Sequence, residues 1–189
     1  NTAVGSHALR ANTEGGSNTA IGNSSLRANT TGESNTAAGK FALLSNTSGT
    51  RNTAAGSKSL QSNISGSFNA AFGESALYNN VSGIYNAAFG TNALVSNTAG
   101  HNTAVGSNAL YYTTTGGNNT AVGSSSMHFN NTGYGNTAIG TNALGSTQTS
   151  GNYITAVGFA SGVSADNLTN AMALGSHAIV TASNQVRIG

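Results

Sequence analysis

Hydrophobic and polar positions recur along this chain with a period of seventeen residues. The motif Asn-Thr-Ala-aliphatic-Gly begins at Asn1, Asn18, Asn35 and Asn52, continues with Ala in place of Thr at Asn69 and Asn86, and returns at Asn102, Asn119 and Asn136. Every step is seventeen residues except one of sixteen, between Asn86 and Asn102. A tenth unit carries Thr155-Ala156-Val157-Gly158 after a one-residue insertion, an eleventh carries Ala173-Leu174-Gly175, and Val186-Arg187-Ile188-Gly189 reads as a last strand. In the second half of each unit Ala or Ser precedes Leu or Met, from Ala8-Leu9 through Ser126-Met127 to Ala143-Leu144. A turn follows, marked by Asn12, Asn29, Asn46, Asn63, Asn80, Asn97 and Asn130, and it closes on a glycine such as Gly15, Gly32 or Gly49.

Two short apolar segments alternating with two turns predict one coil of a two-sided roll. Helices rarely carry glycine every few residues, and seventeen residues with Gly at both corners cannot hold a helix pair. The expected fold is all-β: a parallel β-roll, or β-solenoid, of about eleven coils with two short strands per coil. A single repeat domain spans 1–189, with regular coils over 1–152 and less regular terminal coils over 153–189. With coils about 4.8 Å apart, the rod is on the order of 50 Å long. Gly at the corners supplies positive φ, while turn Asn tolerates the left-handed region and bonds its neighbours along a column.

The columns also suggest directions for the faces. The fourth motif position is Val4, Ile21, Ala38, Ala55, Phe72, Phe89, Val105, Val122 and Ile139, and the two units with Phe have Ala70 or Ala87 rather than Thr at the second position. Positions two and four share a side of a strand, and one shrinking where the other grows is what a shared packed volume requires. This places the second and fourth positions in the interior, closed by the Leu column. The uniform Ala column from Ala3 to Ala138 would then face outward and meet sister chains, which argues for a homo-oligomer about the fibre axis.

Composition narrows the function classes. Only 5% of residues are charged, against roughly 25% in ordinary domains. There are 26 glycines and no Pro, Trp or Cys, so disulfides do not hold the fold. The net charge of +2, with Arg10, Arg27, Lys40, Arg51 and Lys58 clustered in the first third, is too sparse for nucleic acid. No apolar run approaches the ~20 residues of a membrane span. No signal peptide is visible, and the chain opens in mid-motif at Asn1, which reads as a fragment of something longer.

The run Asn-Thr-Ala-Val-Gly with Ser-Asn-Ala-Leu after it (Asn102 to Leu110) resembles the YadA-like head repeats of trimeric autotransporter adhesins. Nearest to that pattern is Asn170-Ala171-Met172-Ala173-Leu174-Gly175-Ser176-His177-Ala178, followed by Ala182 to Gly189. The longer seventeen-residue units look equally like shaft repeats of phage tail fibres and related bacterial surface fibres. The resemblance covers essentially the whole chain and implies a left-handed roll, three chains side by side, at a cell surface, in the extracellular space or on a virion fibre. This sequence departs from the adhesin pattern in its extra turn residues. It also lacks a neck, a coiled-coil stalk and a membrane anchor.

Candidate chemistry is sparse. The carboxylates Glu14, Glu33, Glu74 and Asp166 form no facing pair of the kind glycosidases need. The histidines His7, His101, His128 and His177 suggest no metal site within one chain, and no nucleophile–His–acid grouping or phosphate loop emerges. The expectation is a non-catalytic protein with no cofactor. Its adaptable surface is the variable turn, where Phe68, Tyr78, Tyr85, Tyr111, Tyr112, Phe129 and Tyr134 gather as candidate ligand contacts. The leading functional expectation is an extracellular fibre segment for adhesion or host-surface recognition, with a host-surface glycan or matrix protein as partner. A structural spacer shaft is the alternative. Ice binding through the Thr column (Thr2, Thr19, Thr36, Thr53, Thr103, Thr120, Thr137) is a distant third, since that column is expected to be buried.

Overall fold

The computed structural model describes residues 1–146 and 150–189. Among the described residues the fold is all-β without a helix, a parallel β-solenoid of about eleven turns. Each of the first nine coils carries one three-residue strand: β1 (Thr2–Val4), β2 (Thr19–Ile21), β3 (Thr36–Ala38), β4 (Thr53–Ala55), β5 (Ala70–Phe72), β6 (Ala87–Phe89), β7 (Thr103–Val105), β8 (Thr120–Val122) and β9 (Thr137–Ile139). These stack in chain order with β10 (Asn152–Val157), β12 (Thr169–Leu174) and β14 (Val186–Ile188) into one 12-stranded parallel sheet. A second sheet pairs β11 (Gly162–Val163) with β13 (Ile179–Val180). Like positions pair with like, as in Thr2↔Thr19 and Ala3↔Ala20. The short and long units do not disturb this register, because Ala87↔Thr103 and Thr137↔Thr155 remain partners. The short unit's missing residue is absorbed in the turn between Asn97 and Ala99, where Asn97 Nδ2 donates to Ala99 O at 2.8 Å.

The faces run opposite to the expectation from the columns. Counting the motif Asn as position one, the third-position alanines from Ala20 to Ala138 are fully buried. They form the core with the Leu column (Leu26, Leu43, Leu60, Leu77, Leu94, Leu110) and Met127. The second and fourth positions point outward, leaving Ile21, Phe72, Phe89, Val105, Val122 and Ile139 exposed. The physical reason is the perimeter. A seventeen-residue coil has room beneath its Leu for one methyl and no more, so the strand can turn only its smallest side chain inward. The size exchange between positions two and four does report a shared side, but that side is the outside.

The second apolar segment is likewise not a strand in the first nine coils. Its Leu sits in the left-handed region (Leu26 φ 49, Leu77 φ 54, Leu110 φ 52), as does the residue two before it, for example Ser24 at φ 56. This alternation sends successive N–H groups by turns to the neighbouring coil and back into their own. Leu26 donates to Ala42 O at 3.0 Å, whereas Asn29 donates to Leu26 O at 3.2 Å. A left-handed residue costs roughly 1–2 kcal/mol, but fully burying the Leu side chain contributes about 1.5–3 kcal/mol, so the arrangement holds. Where β-branched residues replace the pattern near Val163 and Ile179, the segment straightens into β11 and β13.

Buried asparagines tie the coils together. Position one forms one ladder: Asn69 Nδ2 donates to Gly83 O (2.8 Å) and Asn52 Oδ1 (3.1 Å), while Asn69 Oδ1 accepts from the Asn86 N–H at 3.0 Å. Position twelve forms another, with Asn46 Nδ2 reaching Asn29 Oδ1 at 2.7 Å and Gly49 O at 3.0 Å. The turn asparagines thus bond along the column as expected, but the positive φ angles fall on other residues. The two glycine columns differ in purpose. Gly73 takes φ +133 at the strand exit and also lies close to the next coil, with a Cβ there 2.6 Å from Gly90 O. Gly66, in contrast, is required by close approach alone: a Cβ there would lie 2.4 Å from Asn63 Oδ1 and 2.5 Å from Gly83 O.

Candidate functional site

Because the interior is complete with Ala, Leu and Asn, every large aromatic side chain on the coils is left to the surface or the corners. The structure gathers seven of the twelve Phe and Tyr rings into two places.

The first is the outer face of the long sheet. Positions seventeen, two and four alternate outward with the buried Asn and Ala between them. Phe72 and Phe89 at position four stack with centroids 4.9 Å apart and planes at 4°. Four residues earlier, at position seventeen of the preceding units, Phe68 and Tyr85 stack at 4.8 Å. That second stack continues to His101 at 5.1 Å and is capped by the Arg51 guanidinium 5.2 Å from the Phe68 ring. Ala70 and Ala87 form the floor between the two stacks, so the Thr-to-Ala exchange opens a trough on the outside of coils five and six. Elsewhere in the first ten strands of this face Thr stands beside Val, Ile or Ala, and the last two carry Met172 with Leu174 and Val186 with Ile188. Thr19, Thr53, Thr103, Thr120 and Thr137 are half-buried on it rather than interior, in contrast to the expectation.

The second place is the corner after the Leu column. There Tyr111 and His128 stack at 5.2 Å, and Tyr112 and Phe129 stack beside them at 5.5 Å and 7°. Edge contacts join the two stacks, with Tyr111 to Tyr112 at 4.7 Å and His128 to Phe129 at 4.6 Å. A shallow groove of about 300 Å³ opens next to the exposed pair, lined by Ser96, Tyr112, Thr114, Phe129 and Asn131.

Of the seven aromatic residues singled out from the sequence, Phe68 and Tyr85 therefore belong to the sheet face, and Tyr111, Tyr112 and Phe129 to the corner. Tyr78 stands apart, half-buried, with its hydroxyl accepting from Gln61 Nε2 at 3.1 Å. Tyr134 lies outside both clusters and meets the edge of Tyr153 at 5.9 Å. Sequence reasoning missed Phe72 and Phe89 as surface residues, and the groove's polar side of Ser96, Thr114 and Asn131. The signal for the first was the variable size of position four against the constancy of position three.

Among the described residues no three His, Asp, Glu or Cys side chains could hold a metal ion, and no helix is long and apolar enough to cross a membrane. What these surfaces offer is ring faces, hydroxyls and amides, the materials of recognition. Comparison with protein-family models, curated proteins and solved structures returns no match.

Proposed function

We propose that the chain is a segment of an extracellular or virion fibre that mediates adhesion or host-surface recognition without catalysis, built as a left-handed homotrimer. The observation that carries this reading is the outward placement of stacked aromatics on a rod whose interior needs none. Exposed aromatic clusters contribute contact area at low entropy cost and mark interaction surfaces. The resemblance to YadA-like head repeats and to tail-fibre shaft repeats points the same way.

Self-association is supported by the sheet face. Eleven spacings of about 4.8 Å and a width of three outward side chains give an outer face of roughly 700 Å². That is close to the roughly 800 Å² per partner of a standard interface. The interior Ala column cannot serve this purpose, so the Thr and aliphatic columns take its place as the surface for sister chains.

A glycan and matrix-protein array probed with the isolated trimer tests the reading: selective binding supports it, and silence across the array leaves a spacer shaft. The outward Thr column favours ice binding more than the sequence did, but Phe72 and Phe89 stand proud of the plane an ice lattice needs. Thermal hysteresis in a freezing assay is expected to be absent.

A further inference from the structure

We infer that the groove beside Tyr112 and Phe129 binds a neutral saccharide, a deepening that rests on the recognition reading above. Three features of the groove converge on that ligand class.

The first is charge. Between Glu74 and Asp166 the chain has no Lys, Arg, Asp or Glu, and the groove lies in the middle of this stretch. A phosphate, sulfate, sialate or charged peptide would leave water there for no ionic partner, at a desolvation cost nothing in the groove offsets.

The second is the wall. Position eleven is small through six coils (Ala11, Ala28, Ser45, Ser62, Asn79, Ser96) and then becomes Tyr112 and Phe129. The stack therefore begins abruptly, with only the Ser96 hydroxymethyl before it, and Tyr112 remains 46% exposed. The second stack, of Tyr111 and His128, braces the rings from behind, and His128 Nδ1 lies 3.3 Å from Asn108 O. A fixed, open aromatic surface suits the C–H face of a pyranose, which needs apolar area at low ordering cost.

The third is the opposite side. Thr114 and Asn131, at position thirteen, carry hydroxyl and amide groups suited to sugar hydroxyls, as does Ser96 at the end of the stack, and the Thr114 hydroxyl already bonds the Asn131 side-chain oxygen. A peptide strand fits poorly. The backbone N–H groups of Ser96, Tyr112 and Thr114 are taken by Tyr111 O, His128 O and Asn131 O at 3.0–3.3 Å, so an added strand finds none of these three donors free. The groove also adjoins the turn of the sixth coil, the one unit of sixteen residues, and it spans three coils. That is about 10 Å along the fibre, the length of about two sugar rings.

The test is saturation-transfer NMR on the full chain with lactose, maltotriose, cellotriose and N-acetylchitotriose, and with 3′-sialyllactose as the ionic counterpart. At least one neutral sugar is expected to bind with a Kd of about 1 mM. Affinity should fall at least about tenfold in Tyr112→Ala and in Ser96→Phe, and stay unchanged in Phe159→Ala, an exposed aromatic residue outside both clusters. Ser96→Phe removes no core contact and extends the ring stack over the open side, so it still reports if Tyr112→Ala misfolds by circular dichroism. Three results overturn the site: no neutral sugar bound at about 10 mM, equal binding by Ser96→Phe, or preference for the sialylated sugar. Adhesion of the trimer to cells in flow separates this from the broader reading. Sugar binding without adhesion removes the adhesive role and keeps the site, while adhesion unaffected by Ser96→Phe removes the site and keeps the role.

Discussion

The inner and outer positions of one short strand behave oppositely. Position three is alanine in every coil from Ala3 to Ala138 and again at Ala156 and Ala173, while position four ranges from Ala38 to Phe72. The inner position is held by a fixed perimeter with a Leu across from it. The outer position is bounded by nothing within the chain, and yet it stays apolar. Constancy marks the confined side, and tolerated bulk marks the free one. Apolarity on the free side is then a statement about what covers it.

The same substitution on the two sides breaks or sharpens this contrast most strongly. Ala71→Leu adds carbons to a site with no solvent exposure, and overpacking should cost about 3 kcal/mol, read by urea denaturation followed by circular dichroism. Ala55→Leu, one coil earlier on the outer side, is expected to cost less than about 0.5 kcal/mol. Equal losses at the two sites would contradict the inside–outside assignment.

Next in size is the asparagine ladder. Asn69→Ala removes an acceptor that satisfies the Asn86 N–H and a donor to Gly83 O. Gly83 O keeps the Asn80 Nδ2 donor, but stranding the buried Asn86 N–H should cost about 2 kcal/mol, with the loss concentrated in adjoining coils as expected for a repeat stack. Amide hydrogen exchange at Asn86 against coils one and nine reads that locality.

The period, the number of coils, the position of the motif strand and the Asn columns were legible in the sequence, because a parallel stack repeats each residue's environment; the second strand expected in each coil is absent from the first nine. The direction of the faces was not. Both sides of the strand are apolar, so alternation gives no sign, and the Phe/Ala exchange is equally consistent with a crowded inside and an outside trough. Nor did the Leu column disclose its left-handed backbone, since buried Leu is common in true strands. The turn aromatics were legible as a group. Their division into sheet-face and corner clusters depends on which coil positions fall on the same corner, and only the folded coil settles that.

A smaller effect probes the left-handed corner. Leu77→Ile keeps the volume but places a β-branched residue at φ 54, where it should cost about 1–2 kcal/mol. Leu77→Met should cost less than about 1 kcal/mol, consistent with Met127 occupying the same column at φ 48. If both changes cost the same in the denaturation midpoint, the backbone conformation is not what selects an unbranched residue there.

The covering of the outer face is tested most directly by sedimentation equilibrium of the wild-type chain beside the Phe72→Ser/Phe89→Ser double variant. An outer face built for sister copies predicts a wild-type mass of three times 18.6 kDa. The double variant should dissociate toward monomer while its circular dichroism spectrum is unchanged. A wild-type monomer at all concentrations, or a trimer indifferent to both substitutions, would contradict it.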